Sequence, residues 1–138
     1  MRLEVDEPGS RVAAAIDEDG TIIGLAAAGV TRDDDAPTPW ELYSINVLAG
    51  QQGSGVADEL IAVTVGQGEA TVWVLAGNGR AQGFYRRHGF RPEGSSRTDQ
   101  LSGAREIRMV RLSGAVLAGS ETFAGAGPAR VGAGADAV

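Results

Sequence analysis

Gln52-Gly53-Ser54-Gly55-Val56-Ala57, and further on Asn78-Gly79-Arg80-Ala81-Gln82-Gly83-Phe84-Tyr85-Arg86-Arg87-His88-Gly89-Phe90, decide how this chain is read. The first stretch reads as a glycine loop opening a helix. Backbone N–H groups can converge there without side chains in the way, and the helix's positive end faces any anion held by the loop. The second reads as an asparagine-capped helix that presents Tyr85 and stops at Gly89. A strand precedes each. Trp40 to Leu48 sets Leu42, Ser44, Asn46 and Leu48 against Tyr43, Ile45 and Val47, an alternation of period two. Thr71 to Leu75 is almost continuously apolar, as in a strand buried on both faces. In this order the segments point to an enzyme that binds a pyrophosphate-bearing cofactor and moves a proton beside it. The glycine spacing is neither G-x-G-x-x-G nor G-K-[ST], so dinucleotide and P-loop readings fit poorly. Taken alone, the loop reads equally well as an ordinary glycine turn.

Outward from these segments the chain is short-strand material. Asp6 to Ser10 is a turn, and Arg11 to Ile16 and Thr21 to Val30 flank the turn Asp17 to Gly20 as a β-hairpin. Thr31 to Pro39 reads as a loop, with Asp33, Asp34 and Asp35 at a solvated tip. Val56 to Val65 has helical periodicity and acids Asp58 and Glu59 in its first turn, and Gly66-Gln67-Gly68 ends it. Phe90 to Pro92 begins an extended segment, Glu93 to Gly103 reads as a polar loop, and Glu106 to Leu112 as a last strand. From Ser113 onward glycine and alanine dominate without periodicity. The expected organisation is one domain over 1–112 and a poorly ordered tail over 113–138. The order β-β-β-α-β-α-β-β gives an α/β (α+β) domain with a mixed sheet.

Composition narrows the chemistry. The chain has 138 residues, 43% of them hydrophobic, enough for one core. It contains no cysteine and no lysine, which removes disulfides, thiolate ligands, a P-loop lysine and a Schiff base. A net charge of -6 argues against nucleic-acid binding. No apolar run has the length of a membrane span, and the acidic start lacks the pattern of a signal peptide, so a cytoplasmic location is expected by default. No metal site is expected, because no ligands converge with the aspartates.

Gln52-x-x-Gly55-x-Ala57, after Ile45-Asn46-Val47-Leu48, resembles the Q/R-x-x-G-x-G/A signature of the GNAT superfamily of N-acetyltransferases. The second stretch is similar to that family's following motif, in which an Asn precedes R-A-x-x-F-Y-x-x-x-G-F. Arg80-Ala81, Phe84-Tyr85 and Gly89-Phe90 all fall in place, and the resemblance runs from about Arg11 to Leu112. It implies a mixed, mostly antiparallel sheet with two splayed central strands and flanking helices. It also implies acetyl-CoA as cosubstrate, lying between Trp40–Leu48 and Thr71–Leu75. Backbone groups of Ile45 and Val47, within Ile45-Asn46-Val47, would pair with the pantetheine arm as an added strand. The amides of Gln52, Gly53, Ser54, Gly55, Val56 and Ala57 would hold the pyrophosphate, Asn78 would reach the arm, and Tyr85 would lie near the thioester sulfur.

The implied reaction is direct attack of an amine on the thioester, with Tyr85 as acid for the leaving thiolate and Glu41 as base through water. A core aromatic and an exposed strand-start charge are the plainer readings of these two residues. His88 reads as structural at a helix end. Arg80, Arg86 and Arg87 read as candidates for the adenosine-side phosphates or as a solvated helix face. The acceptor would be a small-molecule or protein amine. Relatives carry a first strand and two helices before the hairpin, and these are expected to be missing here. Apolar sheet left uncovered would favour a homodimer. The alternative is a degenerate, non-catalytic module that binds CoA or a partner.

Overall fold

The computed structural model describes residues 1–7, 9–112 and 130–131; the rest of the expected tail lies outside the described residues. Its strands are β1 Arg2–Asp6, β2 Arg11–Ile16, β3 Ile22–Val30, β4 Trp40–Val47, β5 Ala70–Leu75, β6 Arg91–Thr98, β7 Arg105–Arg111 and β8 Arg130–Val131. The helices are α1 Val56–Thr64 and α2 Gly79–Arg87, and Ala49–Gln51 forms a single 3-10 turn. The sheet runs β1-β2-β3-β4-β5-β7-β6, with β8 set against β4. Among the described residues only β4–β5 and β4–β8 are parallel pairs. The mixed, mostly antiparallel α/β architecture is the expected one.

Two departures from the sequence reading concern strands. Met1 to Asp6 was expected to carry no strand, yet β1 pairs with β2 from Arg2↔Ile16 to Asp6↔Val12. Its residues are mostly exposed, so it shows no apolar run to find; only Leu3 packs on the core. Residues 93–98, expected in a loop, belong to β6. That strand sits at the sheet edge, paired only with β7, so both its faces can be polar, and an irregularity between Pro92 and Ser96 absorbs Pro92 and Gly94.

The most consequential departure is in β4. Its register against β3 goes from Ala28↔Leu42 to Ala27↔Ser44, leaving Tyr43 over as a bulge. The extra residue shifts the alternation by one, so Leu42, Ile45 and Val47 all enter the core. A period of two carried straight through Trp40–Leu48 misassigns Leu42 for this reason.

α1 packs against β2, β3 and β4 through Val56, Ala57, Leu60 and Ile61. Small residues on the strands, among them Ala13, Ala15, Ala26 and Ala28, let it approach closely. At Gly24 a Cβ would stand 2.8 Å from Leu60 Cδ1 and 2.9 Å from Val56 Cγ1. α2 contributes Ala81, Phe84 and Tyr85 to the same core as Val72, Val74, Phe90 and Met109. On the other face of β2 and β3, Val12 and Leu25 remain 41% and 46% exposed. No described helix lies between β1 and β2, which are joined directly through residues 7–10.

β4 and β5 pair only at Glu41↔Thr71 and Leu42↔Val72. From Tyr43 and Trp73 onward they diverge. The bulge and the divergence begin at the same level, so the open wedge between the strands starts where β4 is locally kinked.

Candidate active site

The wedge is bounded at its far end by the glycine loop. Gly53 and Gly55 have φ of 81° and 92°, and a Cβ built on either would meet nothing within 4 Å. Glycine is needed there for the left-handed backbone and not for space. Gly55 is the N-cap of α1 and supplies no side-chain cap bond, so the first-turn amides are left without an intrahelical partner. Ser54 turns inward: its hydroxyl donates to the Gln51 carbonyl, tightening the loop. Val56 and Ala57 are buried at the start of α1 while Gly55 stays half-buried at the surface. Gln52, Ala57, Asp58, Arg80, Phe84 and Arg87 line a recess between the loop and α2. Of the three arginines considered for phosphate contacts, Arg80 and Arg87 face this recess, and Arg86 is exposed on α2. His88 Nε2 lies 2.7 Å from Asp58 Oδ1, tying the end of α2 to the start of α1.

Asn78 caps α2, its Oδ1 accepting from Ala81 N at 3.0 Å. Gln82 Nε2 donates to the carbonyls of Leu75 at 3.1 Å and Ala76 at 2.9 Å, fixing the chain where it leaves β5. One turn along, Tyr85 is fully buried, edge-on to Phe84 and Phe90. Its hydroxyl has no hydrogen-bond partner among the described residues, and burial pushes its pKa well above the usual range. Asn46 Oδ1 is likewise buried without a partner among the described residues. A buried polar atom left unpaired is costly, so both atoms have hydrogen-bonding capacity unused by the described residues.

Glu41, read from sequence as a base or as an exposed charge, is only 1% exposed. Arg32 engages both its oxygens: the backbone N–H bonds Oε1 at 2.9 Å and Nη2 bonds Oε2 at 2.8 Å. The bond to Glu41 raises the Arg32 pKa, outweighing partial burial. The Arg32 guanidinium also lies 4.2 Å above the Tyr43 ring, whose hydroxyl donates to the Val30 carbonyl.

Of the three aspartates expected at a solvated tip, Asp34 is exposed, while Asp33 and Asp35 are engaged by other parts of the chain. Asp33 accepts from Trp73 Nε1 at 2.5 Å and from Arg108 Nη1 at 3.3 Å. Asp35 accepts from Arg108 Nη1 at 2.9 Å. Arg108, 2% exposed, also reaches Glu93 Oε1 at 3.2 Å and Ser95 Oγ at 3.2 Å. These bonds override burial and raise the Arg108 pKa. Burial alone would raise the Glu93 pKa, yet its bonds from Ser95 and Arg108 lower it. Arg97 stacks on the outer side of this group, 4.1 Å over Trp73, and bonds Glu106 at 2.8 Å. Residues on β5, β6, β7 and the 31–39 loop thus meet in one polar cluster. Sequence reasoning missed it because partners more than seventy positions apart leave no local signal. The one available hint was an arginine at alternate spacing inside an apolar strand.

The structure therefore puts Ile45, Asn46, Val47 and Gln52–Ala57 along and beyond one side of the wedge, and Asn78 and Tyr85 on the helix after the other side. Glu41 stands where the two strands still pair. Among the described residues no three His, Asp or Glu side chains converge as a metal site, and no helix is long and apolar enough to cross a membrane.

The sequence profile of the acetyltransferase (GNAT) domain matches residues 8–92. Nourseothricin acetyltransferase superposes with a TM-score of 0.61 at 22% identity, over 77% of this chain and 66% of that one. The NatC complex bound to Gag peptide and CoA gives 0.59 at 15% identity, over 75% of this chain and 70% of the other. The F149A mutant of spermidine N-acetyltransferase SpeG from Vibrio cholerae gives 0.57 at 21% identity, over 77% and 67%. The chain thus spans about two thirds of the length of these structures. No curated protein matches it. The chain belongs to the GNAT acetyltransferase family.

Proposed function

We propose that the chain transfers an acetyl group from acetyl-CoA to a primary amine by direct attack on the thioester. The observation that carries this reading is the wedge itself: parallel strands β4 and β5 stop pairing with each other after Leu42↔Val72, and uncapped helix amides follow beyond β4. The pantetheine arm would run along Ile45–Val47, adding to the β4 edge, and Asn46 Oδ1 would gain a donor. The uncapped amides after Gly55 and the loop from Gln52 would hold the pyrophosphate. Asn78, with its oxygen committed to the α2 cap, has its amide N–H groups left for the arm.

Chemistry then needs a neutral amine and an acid for the departing thiolate. Burial keeps Tyr85 protonated at rest; as the acid it would pass that proton to the departing thiolate and be left as a phenolate, which burial opposes. Glu41, held by Arg32, would take the amine proton through water. The acceptor is a small-molecule or protein amine. The same proposal includes a cytoplasmic location and self-association through the face of β2 and β3 that exposes Val12 and Leu25. A monomeric sedimentation profile at micromolar concentration would rule the association out.

The engagement of both Glu41 oxygens by Arg32 favours a second reading, a module that binds CoA without turnover. Thiol release from acetyl-CoA, measured with a panel of amines, separates the two. Turnover that drops about tenfold or more in Tyr85→Phe and in Gly55→Trp supports catalysis with these roles. Equal turnover in all three proteins refutes the roles, and calorimetric CoA binding without turnover supports the module.

A further inference from the structure

The wedge between β4 and β5 is not empty of protein. β8, the two residues Arg130–Val131, enters it as a parallel strand with Arg130 opposite Ser44 and Val131 opposite Ile45, and it contacts β5 on its other side. Seating begins one residue past the bulge at Tyr43, at the level where β4 and β5 stop pairing with each other. The backbone edge of β4 that lost its β5 partner is thereby given another one. We infer that the C-terminal segment of this chain is a built-in competitor for the CoA site, and that the free enzyme is autoinhibited until CoA displaces β8. This rests on the reading of the wedge as the CoA cleft.

Three considerations support it. The pantetheine arm and a dipeptide present the same chemistry to a strand edge, amide N–H and C=O groups in extended array, so both bind by strand addition. Both readings use Ile45, so the two occupants exclude each other. β7 ends at Arg111 and β8 begins at Arg130, with 18 residues, 112–129, between them, so the competition is intramolecular. The gap to be crossed is small, because Arg111 at the end of β7 pairs with Ala70 at the start of β5. A two-residue strand is also short enough to leave: it holds only a few backbone bonds, so it tunes affinity without abolishing it.

The experiment is CoA titration by calorimetry on the full chain and on a full-length double variant, Arg130→Pro with Val131→Pro. Proline removes both backbone donors of β8. If the competent, open form is about a tenth to a third of the population, the variant binds CoA about three- to tenfold tighter. Amide hydrogen exchange is read in parallel over Tyr43–Val47 and Arg130–Val131. In the unaltered chain, CoA should speed exchange at Arg130–Val131 while Tyr43–Val47 stays protected. Equal CoA affinity in the two proteins, with exchange at Arg130–Val131 unchanged by CoA, overturns the inference. Should CoA bind neither protein, the CoA reading itself fails. Exchange over Tyr43–Val47 then decides the strand: faster in the double variant supports the seat, and unchanged overturns it.

Discussion

Replacing Arg108 with methionine removes the one cation that Asp33, Asp35 and Glu93 share. The size of the effect follows from which partners are sheltered. Asp35 is 77% exposed and can be rehydrated, so it counts for little. Glu93 and Asp33 are 18% and 17% exposed and would be left with like charges in a poorly hydrated cluster. Breaking one side of such a buried arrangement costs about 3–5 kcal/mol. Asp33 keeps Trp73 at 2.5 Å and Arg97 at 3.8 Å, which sets the expectation near the lower end. With an m-value of about 2 kcal/mol/M, the urea midpoint falls by about 1.5 M. Tryptophan fluorescence reads the transition, since Trp73 is in the cluster. The pH dependence carries the sharper test. Glu93 and Asp35 have depressed folded-state pKa values, so their stabilisation is present above the ordinary carboxylate pKa and fades as pH falls through the folded values. In Arg108→Met that stabilisation is already gone. The gap between the two proteins is therefore largest near neutral pH and narrows on acidification. A loss under about 1 kcal/mol at pH 7, or a loss of equal size at pH 7 and at about pH 4.5, would refute the reasoning.

Because burial holds Tyr85 well above the usual tyrosine range, turnover should show no descending limb up to about pH 10; a decline beginning near pH 8 would remove Tyr85 from the acid role. Gly24→Ala places a methyl 2.8 Å from Leu60 and 2.9 Å from Val56, and should lower stability by about 1–3 kcal/mol in denaturant titration, whereas an unchanged midpoint would mean that α1 can simply shift outward. Glu41→Gln keeps an oxygen for the Arg32 N–H but not the charge; kcat should fall about 100-fold with CoA affinity within twofold, and an unaltered kcat would show that Glu41 is not the base.

What was legible in the sequence follows from how local the cause is. The glycine loop and the Asn78 cap depend on a few neighbouring residues, so both were found at the right positions. β5 could be read because burial on both faces leaves an unbroken apolar run. β6 could not, because an edge strand with polar faces carries neither an apolar run nor clean alternation. Tyr43 hides the bulge in the same way: a strand with one extra residue reads as two short alternations out of phase, and nothing in the residue itself says so. Glu41 was picked out, but its burial and its Arg32 partner depend on a loop folding back over the strand. The Arg108 cluster is assembled wholly by topology.

Arg32 and Asp33 are adjacent in the chain, yet they hold opposite walls of the wedge. Arg32 grips β4 through Glu41, and Asp33 grips β5 through Trp73. Their Cα atoms are fixed about 3.8 Å apart by a single peptide unit. The loop therefore acts as a caliper that sets the width of the mouth between the strands. Moving either jaw moves the other, so a residue inserted between positions 32 and 33 would widen the mouth without altering a single side chain that lines it. The aperture of this protein is gauged by a segment that belongs to neither strand.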